Sequence, residues 1–271
     1  MRGLDGVGIG LRKEFFEPLL ATSRHVDWLE IISENFLDAS GRAEVMLDRV
    51  GARWPLIPHG VGLSIGNQAP TGYLDRLATL VRRVAPPFFS DHLCYSSIGA
   101  RDYLDLLPLP RHDEAIARVV HNARAAQAAT GLPLVLENIT TYAEMPGSVY
   151  DEASFLTQIA EQAGVGLLLD VNNLYLNAIN HGQEPRALLE RFPLGHVRQV
   201  HLGGHTWDPS LELWLDTHAA PVAEPVWDLY VEVLERCGPV PTLIEWDQHI
   251  PSLDAVLDQA DRARALMERF A

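Results

Sequence analysis

The chain of 271 residues contains a single lysine, Lys13, and only two cysteines, Cys94 and Cys237. Two cysteines supply neither a disulfide framework nor a thiolate zinc site. Cys237, directly before Gly238 at an expected helix end, and Cys94 both read as small packing groups. No apolar run approaches the ~18 residues of a membrane span. The opening MRGLDGVGIGLRKEFF lacks the basic-then-apolar layout of a secretion signal, so the expectation is a soluble cytoplasmic protein with no membrane partner. Cations are scarce: 21 Lys and Arg face 36 Asp and Glu, a net charge of −15. Nucleic-acid binding relies on basic side chains neutralising phosphates, so that class is disfavoured and a small-molecule or protein partner fits better. Also missing is G-x-G-x-x-G after the first apolar run, since the glycines of GVGIGL are wrongly spaced. That speaks against a doubly wound dinucleotide-binding sheet.

What is present is a rhythm. Short runs rich in Val, Leu, Ile and Phe, expected as strands at 6–9, 28–32, 56–59, 88–92, 134–138, 166–170, 196–201 and 242–245, alternate with helical stretches. The helices are expected at 14–21, 43–52, 70–84, 112–130, 151–162, 185–191 and 224–237, with a last one that Ser252 caps and that runs to about 270. Gly131 and Gly164 mark two helix ends. The longest connection covers 93–110. Eight strand–helix alternations predict an α/β fold of the (β/α)8 TIM-barrel type, one domain over 1–271, with 47% hydrophobic residues to fill its core.

Six of these runs end on a residue able to bind a metal: His59, His92, Glu137, Asp170, His201 and Glu245. A parallel barrel gathers the C-terminal ends of its strands at one mouth, so residues scattered from 59 to 245 would share one pocket. Imidazoles and carboxylates crowded there without a cation would be costly. Beyond the strand ends, in what reads as loop, LDVNNLY supplies Asn172 and Asn173, and WLDTHAAP supplies Asp216 and His218. Asn173, Asp216 and His218 join the candidates. Nine ligand-type residues exceed what one ion uses, so more than one metal is implied, with Glu137 a natural bridge. Imidazole and oxygen without thiolate suit Fe, Mn or Zn, and ligand softness does not choose among the three. Asn35, Asn138, His205 and His249 are placed to orient ligands or touch substrate, or are simply structural. His25, His112, His121, His181 and His196 read as structural or surface residues.

The motifs ISENF, PHGVGLSIG, SDHLCYSS, LENITTY, LLDVNNLYLNAINHG, QVHLGGH, DTHAAPV and PTLIEWD, spread over about residues 6–270, resemble those of the multinuclear non-haem iron-dependent oxidases. That resemblance implies two or three iron ions of mixed Fe2+/Fe3+ valence and O2 as co-substrate. The reaction it implies is oxidative modification of cysteine in a ribosomally made precursor peptide, with a separate partner protein gripping the peptide's leader. Carried over by position, His59, His92 and bridging Glu137 would hold one ion. Glu137, Asp170, His201 and Glu245 would hold a second, and Asn173, Asp216 and His218 a third, more exchangeable one. Glu137 and Asp170 are the expected catalytic carboxylates.

Two other readings fit the residues alone. One is a divalent-metal barrel of the sugar isomerase or endonuclease type, disfavoured by the absence of a lysine at any strand end and by the acidic charge. The other is a non-catalytic metal-binding scaffold.

Overall fold

A computed structural model describes residues 4–67, 69–98 and 101–271. Residues 1–3 of the N-terminal stretch, Gln68, and 99–100 of the long connection lie outside it. The strands β1 (Val7–Gly10), β2 (Leu29–Ile32), β3 (Leu56–Gly60), β4 (Phe89–His92), β7 (Leu134–Glu137), β8 (Gly166–Asp170), β9 (Val197–Leu202) and β12 (Thr242–Ile244) close a barrel in the order β1-β12-β9-β8-β7-β4-β3-β2. Every pairing within it is parallel. The expected TIM-type barrel is therefore the fold, and the open doubly wound sheet is excluded.

Parallel neighbours need crossovers, and helices provide them. They are α1 (Phe16–Ala21), α2 (Gly41–Gly51), α3 (Tyr73–Val84), α4 (Asp113–Thr130), α5 (Glu152–Ala163), α6 (Val171–Asn180), α7 (Pro185–Arg191), α8 (Glu224–Cys237) and α9 (Leu253–Met267). Local chemistry sets their ends. Asp151 and Ser252 accept the backbone N–H three residues on, satisfying a donor the helix cannot. Gly131 closes α4 in the left-handed conformation at φ 72°, which a side chain would disfavour.

Three elements depart from the sequence expectation. The 93–110 connection holds an antiparallel hairpin, β5 (Tyr95–Ile98) with β6 (Arg101–Leu107). A second hairpin, β10 (Thr206–Asp208) with β11 (Leu213–Leu215), follows β9. The segment after Asp170, read from sequence as loop, is helix α6, so Asn172 and Asn173 stand in its first turn. Asparagines interrupt the apolar periodicity there, and burial of Val171, Leu174, Leu176 and Ala178 overrides their weak helix preference.

Strand side chains alternate between two cores. Leu29, Ile31, Leu56, Phe89, Leu134, Leu136, Leu167, Leu169, Val200 and Ile244 join the large cluster shared with the helices. Trp28, Ile57, Phe88, Val135, Leu168 and Leu243 form a separate cluster inside the barrel. Two residues further along the same inward faces stand Glu30, His59, Ser90, Glu137, Asp170 and Glu245, all buried. Hydrocarbon thus fills the barrel floor and polar groups the mouth. Trp28 is 0% exposed, and a Cβ built on Gly8 would lie 2.4 Å from its ring. Gly8 leaves the space the indole occupies. Trp28→Ala should lower unfolding stability by about 3–5 kcal/mol, measured by denaturant titration. A loss below about 1 kcal/mol would show that the floor collapses around the gap.

Candidate metal centre

His59 stands next to last in β3, His92 ends β4 and Glu137 ends β7, on neighbouring strands. His59 Nε2 lies 3.3 Å from His92 Nε2, and Glu137 Oε2 lies 3.2 Å from the first and 3.3 Å from the second. His92 Nδ1 is 2.9 Å from the carbonyl of Gly60. A carbonyl only accepts, so Nδ1 carries the proton and Nε2 presents a lone pair. His59 Nδ1, 2.9 Å from Ser90 Oγ, turns its own Nε2 the same way. Burial, reinforced by His92 and His201, holds the His59 pKa well below the ordinary imidazole value, so that ring is neutral. Glu137 Oε2, fully buried, has no hydrogen-bond donor. With Glu137 ionised, electron pairs face electron pairs here, an arrangement that a proton or a bound cation resolves.

A second group adjoins the first through Glu137. Ligand atoms of Glu137, Asp170, His201 and Glu245 all lie within 4.8 Å of one another. His201 Nδ1 is 3.0 Å from Glu245 Oε2 and 3.7 Å from Glu137 Oε1. Behind it, His201 Nε2 meets Glu30 Oε2 at 3.1 Å, and that oxygen also accepts from Gln199 at 2.7 Å. Asp170 caps α6, accepting from Asn173 N at 2.6 Å through Oδ1, and its Oδ2 is left without a donor. Asn138 clasps the Asp170 backbone on both sides, its Oδ1 2.9 Å from Asp170 N and its Nδ2 3.1 Å from Asp170 O.

The third group contains His218, Glu245 and Asp247. His218 Nδ1 lies 3.1 Å from Asp247 Oδ2 and 3.3 Å from Glu245 Oε2, while Nε2 lies 2.8 Å from Asp216 and 3.7 Å from Asp170 Oδ2. Arg12, from the loop after β1, pairs with Asp247 and approaches Glu245 at 3.9 Å. His218 has a left-handed φ of 43°, a strained conformation for a side-chain-bearing residue. Gly203 makes room for it, because a Cβ there would sit 2.3 Å from the imidazole. Asn173 meets Asp170 Oδ1 through its backbone N–H; its side-chain Oδ1 accepts from Thr140 at 2.8 Å and its Nδ2 donates to Asn138 O at 3.1 Å.

The remaining positions separate clearly. His205 Nδ1 lies 2.7 Å from Asn172 Oδ1, one shell out from Asp216, to which Asn172 donates at 2.9 Å. Asn35 and His249 are exposed, and among the described residues His249 joins no metal-type group. His25, His112, His121, His181 and His196 also lie outside every such group, and His112 caps α4. Cys94 is fully buried. Sequence reading missed Glu30, Arg12 and Asp247. Glu30 was hidden inside the run WLEII, where a charged residue on the inward phase was the available signal.

Protons balance the charge in the metal-free arrangement. Burial depresses His201, but Glu30, Glu245 and Glu137 outweigh it and hold its pKa well above the ordinary value. His218 behaves likewise, with Asp216 and Glu245 overcoming burial. Burial raises Glu137 well above the usual carboxyl range and pushes Asp170 up to about 7. Glu245 goes the other way: its burial is overcome by His218 and His201. These groups could hold metal ions, and a bound cation would displace the protons.

Two outcomes follow. Calorimetric titration of a divalent cation should show proton release and an apparent affinity that weakens as pH falls through about 7, where Asp170 takes up its proton. A pH-independent affinity would contradict that assignment. Glu30→Gln should lower metal affinity by roughly 10–100-fold while preserving the fold, because the second partner of a metal-facing imidazole sets its tautomer and basicity.

A family model described as the RiPP precursor modification enzyme MbnB/TglH/ChrH matches residues 6–268. A UPF0276 protein of Anaeromyxobacter sp. (strain Fw109-5) is 43% identical over 97% of this chain and 93% of its own length. A UPF0276 protein of Caulobacter vibrioides is 41% identical over 98% and 95%. Among solved structures, D-psicose 3-epimerase from Clostridium cellulolyticum H10 superposes with a TM-score of 0.64 at 12% identity, covering 98% of this chain and 99% of that one. A xylose isomerase domain containing protein from Salmonella typhimurium LT2 does so with a TM-score of 0.61 at 16% identity, covering 97% of each. At such identities the epimerases share the fold alone, whereas the match across almost the whole chain places this protein in the MbnB/TglH/ChrH family of enzymes that modify the precursors of ribosomally synthesised, post-translationally modified peptides.

Proposed function

We propose that this chain is an iron- and O2-dependent oxidase that modifies cysteine residues of a ribosomally made precursor peptide. The observation that carries the reading is the meeting of the His59 and His92 Nε2 atoms with the donorless Glu137 Oε2. His59, His92 and Glu137 would hold one ion, and Glu137, Asp170, His201 and Glu245 a second. His218 would anchor a third with Asp216, Glu245 or Asp247, and Asn173 would join it on releasing Thr140. Bound iron would supply one-electron oxidation chemistry and a place for thiolate and O2 to meet, which no side chain here offers.

The chain's own residues would do the rest. Glu137 bridges the two main groups and couples them. Glu30 holds His201 with Nδ1 toward the centre, and the Gly60 carbonyl does the same for His92 in the opposite tautomer. Glu137 and Asp170 are the carboxylates assigned to the chemistry as the cysteine thiol binds. Thiolate ligation demands that the proton leave. The reading extends to a separate protein that grips the peptide's leader, which rests on the motif resemblance alone.

The test is reconstitution. Anaerobically purified protein should contain iron in more than one site by metal analysis and Mössbauer spectroscopy. With O2 and a cysteine-bearing peptide encoded beside the gene, it should change the peptide's mass at cysteine. Glu137→Gln should abolish that change while circular dichroism shows an intact fold. Zinc at full occupancy after growth in iron, or no mass change on any such peptide, would overturn the proposal.

A further inference from the structure

The hairpin β10–β11 springs from the chain between His205 and Asp216, beside the third metal-type group. Its cross-strand register pairs Thr206 with Leu215, Trp207 with Trp214 and Asp208 with Leu213. Both backbone groups of Trp214 point away from β10: its N–H donates to Asn180 Oδ1 at 3.0 Å and its carbonyl accepts from Asn180 Nδ2 at 2.8 Å. In an antiparallel ladder this makes Trp207–Trp214 a non-hydrogen-bonded pair. The backbone N–H and C=O of Trp207 must then point outward on the opposite edge. No strand pairs with that edge among the described residues.

The two edges of this hairpin are treated differently. On the β11 side, Asn180 mimics a neighbouring strand, and Tyr142 accepts from Asp216 N at 3.0 Å. Among the described residues the β10 side has no such cover. The hairpin also carries the most conspicuous apolar surface near the mouth: Trp207 is 47% exposed, Leu211 58% and Trp214 37%. The two indoles pack at 5.3 Å, and Trp214 rests edge-on against His205 at 5.1 Å. From 206 to 217 the chain holds Asp208, Glu212 and Asp216 but no lysine or arginine. Its field is therefore acidic.

We infer that the free edge of β10 docks an extended segment of the substrate peptide as a third strand, with a basic side chain of that segment facing Glu212. The inference rests on the peptide-modifying reading above. Main-chain pairing would align the segment, the Trp207–Trp214 face would pack its side chains, and the acidic rim would select cationic neighbours. Because the hairpin runs outward from His205 and Asp216, one end of a paired strand arrives at the metal groups.

The test uses the full-length protein and a synthetic cysteine-bearing peptide rich in Val, Thr and Tyr with flanking arginines. Two further versions carry methyl groups on alternate backbone nitrogens in the two possible phases. Binding is followed by tryptophan fluorescence and by the exciton signal of the indole pair, without metal or O2, so that it is read apart from turnover. The unmodified peptide should bind, and one methylation phase should weaken it about tenfold more than the other. Trp207→Ala and Glu212→Lys should each reduce affinity, and Trp207→Tyr, which keeps an aromatic cross-strand partner, should restore most of it. Equal binding in both phases, indifference to Trp207→Ala and Glu212→Lys, or no binding at all would overturn the docking site. Intact docking with no oxidation under iron and O2 would tell against the oxidase reading alone.

Discussion

Two imidazole nitrogens and one Glu137 carboxyl oxygen crowd together at about hydrogen-bond distance, and no other group donates to that oxygen. That contact is unfavourable by itself, and the barrel is arranged to enforce it. Ser90 and the Gly60 carbonyl hold the far sides of the two rings, so neither can rotate away without losing a buried partner. The parallel ladder aligns His92 with Glu137 and His59 with Ser90. The stability of the surrounding strands therefore maintains a local arrangement that a proton on Glu137 or a bound cation relieves, and a strained site of this kind persists because the scaffold over-determines it.

Around this contact the charge is apportioned rather than cancelled pairwise. His201 and His218 are held protonated by the carboxylates that surround them, Glu137 and Asp170 are held toward the neutral form by burial, and Glu245 remains charged between two imidazoles. Arg12 contributes the permanent positive charge at the outer side, against Asp247 and Glu245. The inner group lacks any such permanent charge of its own. Polarity grades from the hydrocarbon floor, through the neutral imidazoles of His59 and His92, to the ion-paired rim.

Much of this was legible in the sequence because barrels write their function at strand ends. His59, His92, Glu137, Asp170, His201 and Glu245 each close an apolar run, and the structure brings all six into adjoining groups. Residues inside a run escaped. Glu30 sits two positions after Trp28 on the same inward face, and only the period-2 phase distinguishes it from a residue facing the helices. Asp247 and Arg12 escaped because they lie in loops whose paths depend on tertiary packing. Helix α6 escaped because its asparagines bond backward to the preceding loop: Asn173 reaches Asn138 and Asn177 reaches Ile139. Such residues resemble loop formers until the loop they grip is known.

The closed floor of the barrel has a consequence for traffic. Trp28, Ile57, Phe88, Val135, Leu168 and Leu243 fill one end of the barrel with hydrocarbon, so the polar groups are approached from the strand-end mouth. Whatever enters and whatever leaves must share it, in sequence. A chain segment lying across the opening becomes a stopper as well as a guest: it excludes bulk water while in place, and it has to be withdrawn before the next molecule can be admitted.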